Sequence, residues 1–163
     1  MTDASPTIVL LTEQALTPGD AARITAFHAD DSPAYRVVVP ADTERSLLVD
    51  VLDHLSLLEL REALDAVRGR DDDAGDRAAA GQALAATLAE LKAVGVEATG
   101  EVVAGDPVDT LAAQIATTGA TEVVVVTRLH AVEDTFHTDW ASRARERLGV
   151  PVLHVYAGSS WVG

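Results

Sequence analysis

The chain has no cysteine, which excludes a disulfide framework. Lys92 is its only lysine, and 26 acidic residues against 12 basic ones leave a formal charge of −14. That charge would repel a polyphosphate backbone, so nucleic acid is not an expected partner. No apolar run approaches a membrane span, and the opening MTDASPT has neither the basic start nor the apolar stretch of a secretory signal. A cytoplasmic address without membrane contact is the expectation. A Walker loop, a Rossmann glycine fingerprint and a nucleophile elbow are all missing, and GSSW near the end lacks the strand-to-helix setting of a catalytic serine. An enzyme is therefore the less favoured class. The most informative absence is local: no glycine occurs between Gly119 and Gly149.

What is present fits a globular α/β protein. At 163 residues, 48% of them hydrophobic, the chain has the size of one domain, read as 1–163 with 1–6 and 157–163 as flexible tails. TIVLL (7–11) and YRVVVP (35–40) read as short apolar strands, the second ended by a proline. Between them Thr17, Pro18 and Asp20 open a helix whose inner face is assigned to Ala22, Ile24 and Phe27. Leucines recurring at helical spacing predict a long helix over 44–67, with Gly69 as its cap, and Leu84, Leu88, Leu91 and Val94 predict another ending at Gly95. The intervening GRDDDAGD reads as a solvated turn; it lacks the spaced ligands and terminal glutamate of a calcium loop.

VEATGEVVAGDP predicts a strand whose internal Gly100 marks an edge position or a bulge. Asp106 caps the next helix, Pro107 follows, Leu111, Ala112 and Ile115 point inward, and Gly119 ends it. EVVVVT is the most apolar strand and hence central. A last helix starting at Thr138 or Asp139, with Trp140, Ala144 and Leu148 on one face, stops at Gly149 and Pro151 before PVLHVY. Five strands alternating with helices imply a doubly wound parallel sheet covered on both faces, with ligands sought beyond the carboxyl ends of the strands.

VVAGDPVDTLAAQIATTGATEVVVVTR, followed by a loop, a helix and GVPVLHVY, resembles the universal stress protein domain. The likeness extends over nearly the whole chain, and its most specific piece is the turn at Gly105 and Pro107. The resemblance implies strand order 3-2-1-4-5 and a crevice between the first and fourth strands. Its candidate ligand-binding residues are Thr12, Glu13, Gly105, Thr127, Arg128, His130 and Thr138. Glu13 stands where the family usually has aspartate.

ATP-binding members follow the fourth strand with glycine, two residues, glycine, nine residues, then glycine and serine or threonine. Glycine lets main-chain amides approach the phosphates without an intervening β-carbon, and the final pair presents a helix start to the anion. Here Thr127 and His130 occupy the first two glycine positions, and Thr138 and Asp139 the last pair. Losing two charge-assisted amide contacts at about 1.5 to 3 kcal/mol each weakens affinity by roughly a hundredfold to ten-thousandfold. Glu133 and Asp134 add repulsion, and Arg128 could recover part of the loss. No cofactor is expected, ATP and AMP being disfavoured.

His130 and His137, with the nearby carboxylates, are candidate zinc or manganese ligands, although their spacing matches no metal motif. A grip on a small anion by Thr127, Arg128 and His137 competes with an ordinary surface salt bridge. His154, inside the last strand, reads as a satisfied core or interface residue; His28 and His54 read as surface or boundary residues. Arg143, Arg145 and Arg147 suit a solvated helix C-terminus.

The last strand, with Val152, Leu153, His154, Val155 and Tyr156, is an edge in the family's order. It carries no charged guard, so a homodimer through it is expected. Leu57, Leu58 and Leu60 offer a second contact region, and Trp161 could lie across a partner or in a disordered end. The expected function is a non-catalytic, dimeric stress or regulatory binding module that does not hold ATP in the family manner. The alternative is a nucleotide-binding or nucleotide-hydrolysing relative using an altered loop around Arg128.

Overall fold

The computed structural model describes residues 5–41, 73–127 and 145–158. The predicted helix over 44–67, His54, the turn before Asp73, the loop from Arg128 to the start of the last helix, and Trp161 lie outside the described residues.

In chain order the described elements are β1 (Thr7–Thr12), α1 (Pro18–Ala26), β2 (Ala34–Pro40), α2 (Asp73–Ala93), β3 (Ala98–Val103), α3 (Pro107–Thr118), β4 (Glu122–Thr127) and β5 (Val152–Tyr156). All five strands are parallel, in the order β3-β2-β1-β4-β5. Successive side chains alternate between the two faces of a strand. Val9, Leu11, Val123 and Val125 thus meet Val108 and Leu111 of α3, with Leu148 of the helical turn 145–148 packed against them. On the opposite face Ile8, Leu10, Val124 and Val126 meet Ala21 and Ile24 of α1 and Ala80 and Leu91 of α2. The sheet is therefore doubly wound, as expected. Among the described residues no helix is long and apolar enough to cross a membrane.

The helix starts follow their local signals. Thr17 Oγ1 accepts from the Asp20 amide at 3.1 Å, and Asp20 Oδ2 accepts from the Thr17 amide at 3.3 Å, a reciprocal capping box with Pro18 in the first turn. Asp106 Oδ1 accepts from the amides of Val108 and Asp109, both at 2.9 Å, and Gly119 closes α3 in the left-handed conformation.

Several expectations shift by a few residues. Ala21 and Ile24 form the buried face of α1, whereas Ala22 is exposed and Phe27, beyond the last turn, is 51% exposed. Ala112 of α3 is exposed, while Val108 is buried. The segment read as a turn up to Asp76 is already helical at Asp73, the first residue described there. Val94, read as part of the helical stripe, lies past the end of α2 and is exposed.

His28, read as a surface or boundary residue, lies further inside. It is 8% exposed, with Nδ1 at 2.9 Å from the Ile24 carbonyl and 3.2 Å from the Tyr35 hydroxyl, and Nε2 at 3.2 Å from Glu122 Oε2. The chain turns back after α1 and folds the imidazole beneath the sheet, against the first residues of β2 and β4. Burial, and secondarily the Glu122 carboxylate, push the Tyr35 phenol up to about 12.

Gly100 has a steric explanation. A β-carbon there would lie 2.6 Å from Leu84 Cδ1 and 2.7 Å from the Val37 carbonyl oxygen. The register from Tyr35↔Ala98 to Pro40↔Val103 is unbroken. The glycine therefore marks an edge strand without a bulge, and a helix packed close upon it. Gly100→Ala should lower stability by about 1 to 3 kcal/mol in urea unfolding, since the Leu84 side chain can turn aside but the Val37 carbonyl is backbone held in the sheet.

Tyr35 supplies a test of the pH dependence. The unfolded phenol loses its proton near its ordinary value of 10.0, whereas the folded one keeps it to about 12. The unfolded state then binds fewer protons, so stability should fall as pH rises through that window. In an ultraviolet phenolate titration, Glu122→Gln should lower the Tyr35 midpoint only part of the way, because burial is the larger cause.

Candidate functional site

The winding reverses between β1 and β4. The chain leaves β1 through α1 toward β2 on one side, whereas β4 has β5 on the other. Thr12 is level with Val126, so Thr12, Glu13 and Thr127 come together at the carboxyl end of this pair. Such a reversal opens a crevice in doubly wound sheets.

The described side chains at this end are buried. Thr12 is fully buried, and its hydroxyl donates to the Gln14 carbonyl at 2.7 Å, folding the chain over the strand end. Glu13 is buried beside it. Three residues after Glu13, the Leu16 amide donates to the buried Thr87 hydroxyl of α2 at 3.2 Å, which fixes the outgoing loop to the neighbouring helix.

Thr127, at the position of the first phosphate-loop glycine in the resemblance, is 2% exposed, and its Oγ1 lies 2.7 Å from Nε2 of the fully buried His154. The His154 ring meets Tyr156 edge-on, with centroids 4.5 Å apart. The two residues lie on adjacent strands, where the register sets Val125 beside His154 and Thr127 beside Tyr156. A hydroxyl held by an imidazole has the makings of a nucleophile and base, but a nucleophile must reach its substrate. With both groups buried, this pair is a packing and hydrogen-bonding unit.

Gly105 follows β3, which β2 separates from β1, so the sheet does not set it beside Thr12 and Thr127. Its φ of +100° explains the glycine: the turn into α3 adopts a backbone conformation that side chains disfavour. Arg128, His130, His137 and Thr138 lie outside the described residues. Among the described residues no group of three His, Cys, Asp or Glu side chains is placed to hold a metal.

A further polar site, absent from the sequence reading, lies where α1 begins. The Asp20 carboxylate is 2% exposed. Besides the Thr17 amide, Oδ2 accepts from the Thr17 hydroxyl at 2.8 Å. Oδ1 accepts from Arg23 Nη2 at 3.1 Å and from the Gly158 amide at 2.9 Å. Arg23 Nη2 also donates to the Tyr156 carbonyl at 3.1 Å. Sequence signals mark Asp20 as a first-turn acid; the partners 138 positions away leave no local pattern.

No protein-family model and no curated protein matches the chain. Solved structures do. A universal stress protein from Archaeoglobus fulgidus aligns with a TM-score of 0.58 at 14% identity, covering 91% of this chain and 92% of its own. A universal stress protein solved in complex with cAMP aligns with a TM-score of 0.57 at 17% identity, covering 96% and 100%. A universal stress protein family protein from Arabidopsis thaliana with AMP bound aligns with a TM-score of 0.52 at 13% identity, covering 94% of each chain. At these identities the likeness is one of architecture, and over nearly its whole length this chain has the fold of the universal stress proteins.

Proposed function

We propose that this chain is a non-catalytic regulatory binding module of the universal stress type that does not hold ATP through a glycine-rich loop. The observation carrying the reading is the absence of glycine between Gly119 and Gly149. Close contact between main-chain amides and a triphosphate requires positions without a β-carbon. The environment of Thr127 supports the same reading, since its hydroxyl is turned inward to His154. The module acts as a homodimer through β5, which the strand order leaves at one edge of the sheet.

A second reading is favoured by one observation: two of the similar structures hold cAMP and AMP, nucleotides without a triphosphate. A mononucleotide makes fewer demands on a phosphate loop, and Arg128, next in sequence to Thr127, could pair with a single phosphate. Calorimetry separates the two. With the affinity loss of roughly a hundredfold to ten-thousandfold argued above, ATP in the micromolar range should give no saturable heat. Saturation by micromolar ATP would overturn the proposal, and saturation by AMP or cAMP alone would select the second reading. Native mass spectrometry of untreated protein should report a dimer; a monomer across the micromolar range would remove that part.

A further inference from the structure

The edge strand β5 has no charged side chain of its own, yet part of its edge is covered from elsewhere. The Val123 amide donates to the Pro151 carbonyl and the Ala157 amide to the Thr127 carbonyl. A parallel ladder alternates residue by residue, so 151, 153, 155 and 157 turn their main-chain groups toward β4. Val152, His154 and Tyr156 turn theirs away from it, toward the outer side of the sheet.

There the Tyr156 carbonyl meets the Arg23 guanidinium, and the next outward amide, that of Gly158, meets the Asp20 carboxylate. Side chains of α1 thus occupy the last outward acceptor of β5, which an added strand would need, and hold the turn that follows it at Gly158. The arrangement is well fixed. Asp20 is held by the Thr17 cap at the same time, and Arg23 Nη2 is shared between carboxylate and carbonyl. Arg23 Nε is buried without a hydrogen-bond partner among the described residues, a desolvation cost that its two Nη2 contacts offset.

We infer that the Asp20–Arg23 pair is an edge guard, a clasp that closes the downstream end of β5 to strand addition by a second copy of this chain. Natural sheets commonly blunt their edges with charged groups or covering segments, and here the charge is supplied by a helix instead of the strand. Because the sheet edge is also the proposed dimer surface, the clasp limits how far two copies can pair along it. The inference itself requires only the hydrogen bonds at Tyr156 and Gly158, and stands whether the wild-type chain is a monomer or a dimer.

The test compares self-association of wild type and Arg23→Ala by sedimentation equilibrium, with circular dichroism to verify that each is folded. Freeing the Tyr156 carbonyl for a ladder bond in each copy should let Arg23→Ala associate at about tenfold lower concentration. Should that variant fail to fold, Arg23→Lys is read in its place, since an ammonium lacks the planar fork that spans carboxylate and carbonyl. A folded variant that associates no more tightly than wild type overturns the clasp and leaves the dimer proposal untouched. A monomeric wild type beside an associating variant supports the clasp and removes the dimer proposal.

Discussion

The structure depends on the burial of β1 and β4 on both faces. TIVLLT and EVVVVT present apolar side chains above and below the sheet, and neither face can be left to water at about 25 cal/mol for each Å² exposed. Helices must therefore cover both sides, and parallel strands require crossovers long enough to contain them. With α1 and α2 on one face and α3 on the other, the winding turns around between β1 and β4. The crevice follows from the way the most apolar strands are sheltered.

Glycine marks close approach in two opposite ways. At Gly100, Leu84 and the Val37 carbonyl occupy the space of a β-carbon, so the bare backbone lets α2 settle onto β3. After Gly119 the sequence has no glycine until Gly149, and the last side chain of β4, Thr127, lies within hydrogen-bond distance of His154. One position uses the steric freedom of glycine to bring protein against protein. The other stretch of sequence contains no glycine at all before Gly149.

The caps were legible because they are local: Thr17 with Asp20, Asp106 with Pro107, and Gly119 each act within a few residues. The alternation of strands and helices was legible from apolar runs and helical spacing, whereas the order 3-2-1-4-5 came from resemblance, since periodicity carries no information on neighbours. Phase was the weak point in α1. Over nine residues the shift between Ala21 and Ala22 changes the pattern little, and Phe27 falls past the end. His28 was misread because its burial depends on the chain folding back onto Tyr35 and Glu122. Of the candidate residues, Thr12, Glu13 and Thr127 were set side by side by the strand order that the resemblance implied, and the register of β1 with β4 brings them to one end of the sheet; the His154 contact joins residues 27 apart and has no sequence signature.

The segment following β1 connects the crevice to the edge. It begins at the Thr12 hydroxyl folded onto Gln14, is fixed to α2 through Leu16 and Thr87, and enters α1 at the Thr17–Asp20 cap. Asp20 then reaches Gly158, and Arg23, one turn later, reaches Tyr156. A buried carboxylate needs all of its donors, so the start of α1 and the chain leaving β5 share one hydrogen-bonding requirement. A displacement of this segment at the mouth of the crevice would have to carry Asp20 with it or break its contacts. Crevice and sheet edge are thus tied through a single short stretch of chain, although they face different sides of β4.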